Sequence, residues 1–290
     1  MIKVEGNYIN CKTFPNGEQH IETDTLNTLL NRDKLKVLFK WGSDFDLMSL
    51  YFVLSHIKFN KPDMIVNLYI EYLPYSRMDR DQNGNCFTLK HLAEMLNIVI
   101  GENDTVNILE PHSDKSLELI KNSRRVNVIT PLTEFVLAQH PDIDTICYPD
   151  KGAKARFHNY YTKLPVIYCN KVRDFDTGEI KGLEVVTDKD LKGSNIVIVD
   201  DLSSKGGTFY HTANKLKELG AKDIYLVICH CEPVIAQGKI YKDKTLNPDS
   251  PIKHIYTLDT MLSTNTSLLQ QGNMTIYNTE RFLDGKFVEV

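Results

Sequence analysis

A chain of 290 residues that is 42% hydrophobic carries enough apolar material for a large core and about two lobes of similar size. Its net charge of −4 argues against a general nucleic-acid or membrane-surface binder and points to small-molecule partners. No apolar run reaches the roughly 20 residues that cross a bilayer, and the start MIKVEGNYIN lacks the basic and apolar regions of a signal peptide, so a cytoplasmic location is expected.

Apolar segments at 37–39, 64–69, 106–109, 145–148, 166–168, 196–199 and 224–228 predict short strands. Helical spacing at 45–57, 89–96 and 209–219 falls between several of them, as an α/β protein requires. A lobe boundary is expected within 125–131, where a charged helix end meets a new apolar segment, giving lobes 1–128 and 129–290. The six cysteines show no CxxC spacing, so neither a zinc site nor a disulfide framework is expected. Cys229 and Cys231 bracket His230, but on a strand the two thiols share one face and the imidazole takes the other.

Polar groups recur just past predicted strands, where doubly wound sheets collect their ligands. After 64–69 comes EYLPYSRMDR, in which Asp79 separates Arg77 from Arg80; one guanidinium can grip a triphosphate while the acid fixes the other, or the three form a solvated salt-bridge cluster. After 106–109 comes EPHS with His112, a position where a lone histidine is more often structural than catalytic. PDKGAKAR follows 145–148 and groups Asp150, Lys151, Lys154 and Arg156, as either a magnesium-phosphate site or a charged helix start. NKVR follows 166–168 and sets Lys171 and Arg173 at the root of a polar excursion, readable as a closing catalytic loop or as a surface hairpin.

The most informative stretch is IVIVDDLSSKGGT at 196–208. A β-branched run reads as a doubly buried strand, and Phe209, Ala213, Leu216 and Leu219 then recur at helical spacing before Gly220, a C-cap. The connecting residues Ser203, Ser204, Lys205, Gly206, Gly207 and Thr208 therefore sit at a helix start. Small side chains, backbone N–H groups and the positive end of the helix dipole suit a phosphate there. Asp200 and Asp201 suit vicinal sugar hydroxyls or Mg²⁺. An ordinary βα turn with capping serines is the alternative.

Taken together, these segments resemble the ribose-phosphate pyrophosphokinase (PRPP synthetase) family. FPNGE at 14–18 is similar to its FxDGE loop, PYSRMDR at 74–80 to its PYxRQDR segment and EPHS to its DLHA-type metal histidine. PDKGAKAR is similar to its PDxGxxxR stretch, NKVR to the stem of its flexible catalytic loop and VDDLSSKGGT to its ribose-phosphate loop. Six ordered matches spread over nearly the whole chain are specific where no single one is.

The resemblance implies an α/β fold of two tandem type I phosphoribosyltransferase-like lobes, each a mostly parallel sheet flanked by helices. It implies Mg²⁺-dependent transfer of the diphosphoryl group of ATP to the anomeric hydroxyl of a ribose 5-phosphate unit, with AMP leaving, in a homo-oligomer. By position, Phe14, Asn16 and Glu18 would meet the adenosine of ATP from a neighbouring subunit, and Arg77, Asp79 and Arg80 would serve its phosphates. His112 and Asp150 would organise the metal, Lys171 and Arg173 would stabilise the transferred group, and Asp200 and Asp201 would orient the ribose hydroxyls.

Three departures qualify this. Ser204 and Lys205 stand where the family usually carries an acid and a threonine, which makes the loop more receptive to anionic oxygens and admits an extended acceptor such as ADP-ribose, whose 1-diphosphate would serve NAD resynthesis. Asn16 replaces an acid, and Met78 replaces a glutamine beside Arg77, so the implied nucleotide contacts are altered. Two other classes remain open: a phosphoribosyltransferase, which leaves FPNGE, PYSRMDR and NKVR without a task, and a silent regulatory homologue, against which the presence of Lys171, Arg173, His112 and Asp150 counts.

Overall fold

The computed structural model describes residues 1–81, 84–157, 163–173, 180–243, 246–262 and 271–290, with the side chains of 171–173 and 180–181 outside that description. Contacts divide the chain into two units, Met1–Asn127 and Val128–Val290.

The first unit begins with strands β1 (Ile2–Val4) and β2 (Asn7–Tyr8), a small hairpin of β3 (Cys11–Thr13) and β4 (Gln19–Ile21), and helix α1 (Asp24–Leu29). Then follow β5 (Lys34–Phe39), α2 (Asp44–Asn60), β6 (Ile65–Ile70), α3 (Thr88–Val99), β7 (Thr105–Leu109), α4 (Lys115–Leu119) and β8 (Ser123–Val126). Six strands form one sheet in the order β2-β1-β5-β6-β7-β8. The β5-β6, β6-β7 and β7-β8 pairs are parallel and the β1 pairs antiparallel. Aliphatic side chains of α2 (Leu50, Val53, Ile57) and α3 (Leu89, Leu92, Leu96) pack with Val37, Phe39, Leu68 and Val106 of the sheet in one core. The hairpin β3–β4 is tied to it where Gln19 Nε2 donates to the Phe45 carbonyl at 3.0 Å and the Ser49 hydroxyl donates to Gln19 Oε1 at 2.8 Å.

The second unit runs α5 (Ile129–Gln139), β9 (Thr145–Tyr148), α6 (Lys151–Phe157), β10 (Val166–Arg173), β11 (Ile180–Val186), β12 (Ile196–Ser203), α7 (Gly207–Glu218), β13 (Ile224–Cys231), β14 (His254–Leu258) and β15 (Met274–Tyr277), with a short 3₁₀ turn at Pro233–Gln237 and a last helical turn at Thr279–Leu283. Its seven-stranded sheet has the order β11-β10-β9-β12-β13-β14-β15. All pairs are parallel except β10–β11 at the edge. Every residue of β13 is buried and β12 nearly so, which is why both read as unbroken apolar runs rather than alternating ones.

Several boundaries differ from the sequence reading. Strand β12 does not stop at Val199: Asp200 pairs with Ile228, Leu202 with His230 and Ser203 with Cys231, so both acids belong to the strand and the loop is shorter than expected. In α7, Thr212 rather than Leu219 completes the buried stripe with Phe209, Ala213 and Leu216, and Leu219 is 41% exposed. Gly220, at φ +92°, ends the helix, with its N–H on the Lys217 carbonyl and the Ala221 N–H on that of Leu216. That second bond is the Schellman pattern. The strands at both chain ends are too short, or too polar, to show a period in the sequence.

Candidate active site

The two units each collect the sequence-marked residues at the carboxyl ends of parallel strands or at a hairpin tip. In the first unit FPNGE forms the turn between β3 and β4. The Phe14 N–H donates to the Glu18 carbonyl at 2.8 Å and Gly17 takes φ +91°, which a glycine adopts without strain. Phe14 stands 54% exposed at the tip, edge-on to His20. Asn16 occupies itself with Glu18: its Nδ2 donates to Glu18 Oε2 at 2.7 Å and its Oδ1 accepts from the Glu18 N–H at 3.1 Å. An acid at position 16 lacks that amide donor and would repel the Glu18 carboxylate.

Beyond β6, Arg77 and Arg80 follow in the PYSRMDR turn, with Met78, 39% exposed, and Asp79 between them. Asp79 accepts from Arg80 Nε at 2.8 Å and from Arg80 Nη2 at 3.3 Å. Ser113 contributes to holding the Asp79 carboxyl low, so EPHS approaches PYSRMDR. The Arg80 hydrogen bonds hold the Asp79 carboxyl below its usual range, against a smaller opposing effect of burial and with help from Ser113.

The turn after β7 is built unusually. Glu110 is fully buried at φ +33°, a backbone region that costs free energy for a side-chain-bearing residue. Arg125, on the neighbouring strand β8, encloses the turn: its guanidinium donates to Glu110 Oε2 at 3.3 Å, to the Pro111 carbonyl at 3.4 Å and to Asp114 Oδ1 at 2.5 Å. Sequence reasoning missed Arg125, because its partners sit 11 to 15 residues away and no local spacing marks them.

In the second unit Asp150 ends the β9 loop and caps α6, its Oδ1 accepting from the Ala153 N–H at 3.0 Å. The charged stretch therefore begins a helix, with Asp150 just ahead of its first residue. Lys154 Nζ lies over the Tyr168 ring at 3.7 Å. Arg156 turns toward β12, where its Nη2 donates to Asp200 Oδ1 at 3.0 Å and to Asp201 Oδ1 at 2.8 Å. Burial, and then the neighbouring Asp201, push the Asp200 carboxyl well above its usual pKa, while Arg156 pulls the other way. Burial disfavours the Arg156 charge too, but Asp201, Asp200 and Asp150 together outweigh it. One guanidinium serves two desolvated carboxylates, so added positive charge or hydroxyl donors would favour their ionised form.

After Ser203 the chain passes Ser204 and exposed Lys205 to Gly206, at φ +77°, and into α7 with no side chain capping the helix. The first-turn N–H groups of Gly207 and Thr208 are therefore presented at the positive end of the dipole. The loop rests on a second segment. A Cβ at Gly206 would collide with the Ile240 side chain, and one at Gly238 would collide with the Lys205 carbonyl oxygen. A Cβ at Gly207, by contrast, meets nothing within 4 Å. Gly238 and Ile240 carried no sequence signal, since close backbone approach is a tertiary fact.

Lys171 and Arg173 lie on β10 opposite Leu183 and Ile180 of β11, with a register shift between Val172 and Arg173. The stem of NKVR is thus one strand of an antiparallel ribbon; the side chains of both residues and the segment 174–179 lie outside the described residues. Among the described residues no group of three or more His, Cys, Asp or Glu is gathered as a metal cage.

Two mostly parallel sheets, one carrying paired acids and then a glycine loop at a helix start, define an α/β protein of two sheet-bearing units. The fold resembles the crystal structure of phosphoribosylpyrophosphate synthetase from Mycobacterium smegmatis, with a TM-score of 0.73, 17% identity and coverage of 96% of this chain and 88% of that one. In sequence the chain is 31% identical over 255 residues to the ribose-phosphate pyrophosphokinase of Pyrococcus abyssi, covering 82% of this chain and 81% of the relative. It is 27% identical over 270 residues to that of Sulfurisphaera tokodaii, covering 90% and 85%. No family model matches. The chain belongs to the ribose-phosphate pyrophosphokinase family, whose members are diphosphotransferase enzymes.

Proposed function

We propose that this protein transfers the diphosphoryl group of ATP to the anomeric 1-hydroxyl of a ribose 5-phosphate unit and releases AMP. The observation that carries the reading is the β12–α7 junction, where Asp200 and Asp201 lie in the last four residues of a buried strand and an uncapped helix begins four residues past Ser203. Acids there accept hydrogen bonds from the ribose hydroxyls, and the N–H groups of Gly207 and Thr208, with the hydroxyls of Ser203, Ser204 and Thr208, receive the phosphate. Phosphoryl transfer needs alignment and charge neutralisation more than covalent chemistry. Lys171 and Arg173 supply that neutralisation in this reading, Arg77 grips the triphosphate beside the Asp79–Arg80 pair, and Phe14, Asn16 and Glu18 meet the nucleoside, from a neighbouring subunit of a homo-oligomer.

Mg²⁺ fits the donor set present. It is usually held by one or two carboxylates while keeping waters and substrate phosphate oxygens, so it needs no ready-made cage. The Asp150 carboxylate would hold it, and the family resemblance adds His112 as a second candidate ligand. Bound there, it would neutralise developing charge on the phosphates.

An extended acceptor, ADP-ribose, is favoured by one feature. Lys205 is exposed on the loop and open space faces Gly207, so a second phosphate would meet a cation and no wall. AMP release from ATP and Mg²⁺, assayed in parallel with ribose 5-phosphate and ADP-ribose and read by product mass, tests both levels. AMP with either acceptor upholds the transfer, and silence with both overturns it. Lys205→Thr is expected to weaken ADP-ribose use selectively; equal losses on both acceptors would sink the extended-acceptor reading.

A further inference from the structure

Strands of the second unit have two ends, and the amino-terminal end also carries a built cavity. It measures about 430 Å³ and is lined by His140, Asp142, Tyr225, Lys253, His254 and Tyr256, which places it in the roughly 300–1,000 Å³ range of small-molecule sites. Tyr225 is the second residue of β13, His254 and Tyr256 open β14, and His140 follows α5. Tyr225 pairs with Val197, Ile228 with Asp200 and Cys231 with Ser203, so three residues of strand, about 10 Å, separate this cavity from the first of the paired acids, and six, about 20 Å, from the start of the glycine loop.

The lining is aromatic where the rest of the sheet's core is largely aliphatic. The His140 ring lies 4.7 Å from that of Tyr225, tilted by 33°, and 5.8 Å from that of Tyr256; His254 lies 4.7 Å from Tyr256. The rings are locked rather than loose. His140 Nε2 is 2.5 Å from the Tyr256 hydroxyl and His254 Nε2 is 2.9 Å from that of Thr275, while Tyr225 and Tyr256 are 2% and 6% exposed.

We propose that this cavity is a separate binding site for a neutral planar heteroaromatic ring bearing an amino group, of the nucleobase or nucleoside kind. The half-buried rings of His140 and His254 supply aromatic surface to a ligand, backed by the buried rings of Tyr225 and Tyr256. The Asp142 carboxylate on the rim accepts from a ring amine, as it already accepts from Asn195 Nδ2 at 2.9 Å. The charge pattern disfavours a phosphorylated ligand. Lys253 is committed to Asp223 at 2.6 Å, and burial, with the charges of His140 and Lys242, holds His254 neutral by lowering its pKa to about 4. Asp142 is left as a rim anion that repels phosphate.

Equilibrium dialysis of labelled adenosine tests this, with the full chain held in Mg²⁺ and a saturating non-hydrolysable ATP analogue to occupy any ATP site. One adenosine per chain is expected to persist. His140→Ala is expected to weaken it at least tenfold, Asp142→Asn severalfold, and AMP is expected to bind at least tenfold more weakly than adenosine. Loss of all adenosine under the analogue, or full retention in His140→Ala, overturns the site. AMP binding as tightly as adenosine overturns its preference for a neutral ring. Should His140→Ala melt early, Asp142→Asn and Tyr256→Phe decide by the same readout. The result is independent of catalysis: a chain that releases no AMP can still retain adenosine here, and an active one can fail to.

Discussion

Arg156 reaches from α6 to β12 and bonds Asp201 at 2.8 Å, with Asp200 at 3.0 Å on the same nitrogen. A helix one strand away thereby sets the direction of the acids proposed to hold the acceptor. Removing one partner of a buried ion pair costs about 3–5 kcal/mol, because it strands the remaining charge. Arg156→Met is expected to lower the melting temperature by several degrees and raise the acceptor KM tenfold or more. Arg156→Lys, which keeps the charge without the planar fork, is expected to restore stability more than KM. Thermal melts alongside acceptor titrations check both.

The same cluster makes Asp200 a liability for stability. Its pKa is raised in the folded protein, first by burial and then by Asp201. The folded chain therefore binds more protons than the unfolded one above the ordinary carboxyl pKa, and stability falls as pH rises. Asp200→Asn is expected to melt higher than the parent at pH 8, to lose that advantage at pH 4, and to use acceptor poorly. Melting curves at the two pH values decide; a parent that is the more stable at pH 8 contradicts the assignment.

Burial, followed by the charges of His140 and Lys242, lowers the pKa of His254 from 6.5 to about 4. Here the sign reverses. The unfolded chain takes up the proton first, so stability is complete above pH 6.5 and drains as pH falls toward 4, by up to about 3 kcal/mol, since a tenfold change in proton affinity is worth roughly 1.4 kcal/mol. His254→Gln, which keeps a donor for Thr275, is expected to flatten denaturation midpoints over that window. An unchanged slope would show that His254 titrates normally.

Gly206 and Gly207 are neighbours with opposite tolerance. Gly206 combines φ +77° with a would-be Cβ driven into the Ile240 side chain, so Gly206→Ala is expected to destabilise by about 2–4 kcal/mol from strain and overpacking. Ile240→Ala should relieve the overpacking part, in a double-mutant cycle with a coupling above about 1 kcal/mol. Gly207→Ala is expected to leave the melting temperature unchanged and to raise the acceptor KM, because its Cβ enters the space proposed for phosphate.

Much of the fold is legible in the chain itself. The doubly buried strands at 196–199 and 224–228 announce themselves because burial on both faces leaves an unbroken β-branched run. The arginines around Asp79 and the paired acids are visible because chemistry at strand ends is local in sequence. What stays hidden is what is assembled from afar. Arg125 reads as part of a charged helix end, and only β7–β8 pairing brings it around Glu110. Asp150 offers both a metal ligand and a helix cap, and the bond to the Ala153 N–H belongs to the second. The acids read as loop residues since two carboxylates are poor strand formers; pairing with β13 and the Arg156 clamp overrides that local preference. The cavity beside Tyr225 leaves no trace at all, because its lining comes from separate stretches whose aromatics resemble ordinary core.

The cradle that Gly238 and Ile240 form beneath Lys205 and Gly206 has a calorimetric consequence. A glycine loop left to itself would have to freeze when its ligand arrives, and that ordering entropy would be subtracted from affinity. Here the backbone is already cast against a second segment when the protein folds, so the ligand meets a mould rather than a rope. Acceptor binding should accordingly register as heat from new polar contacts, with a heat-capacity change far smaller than the large negative values of segments that fold around their ligands.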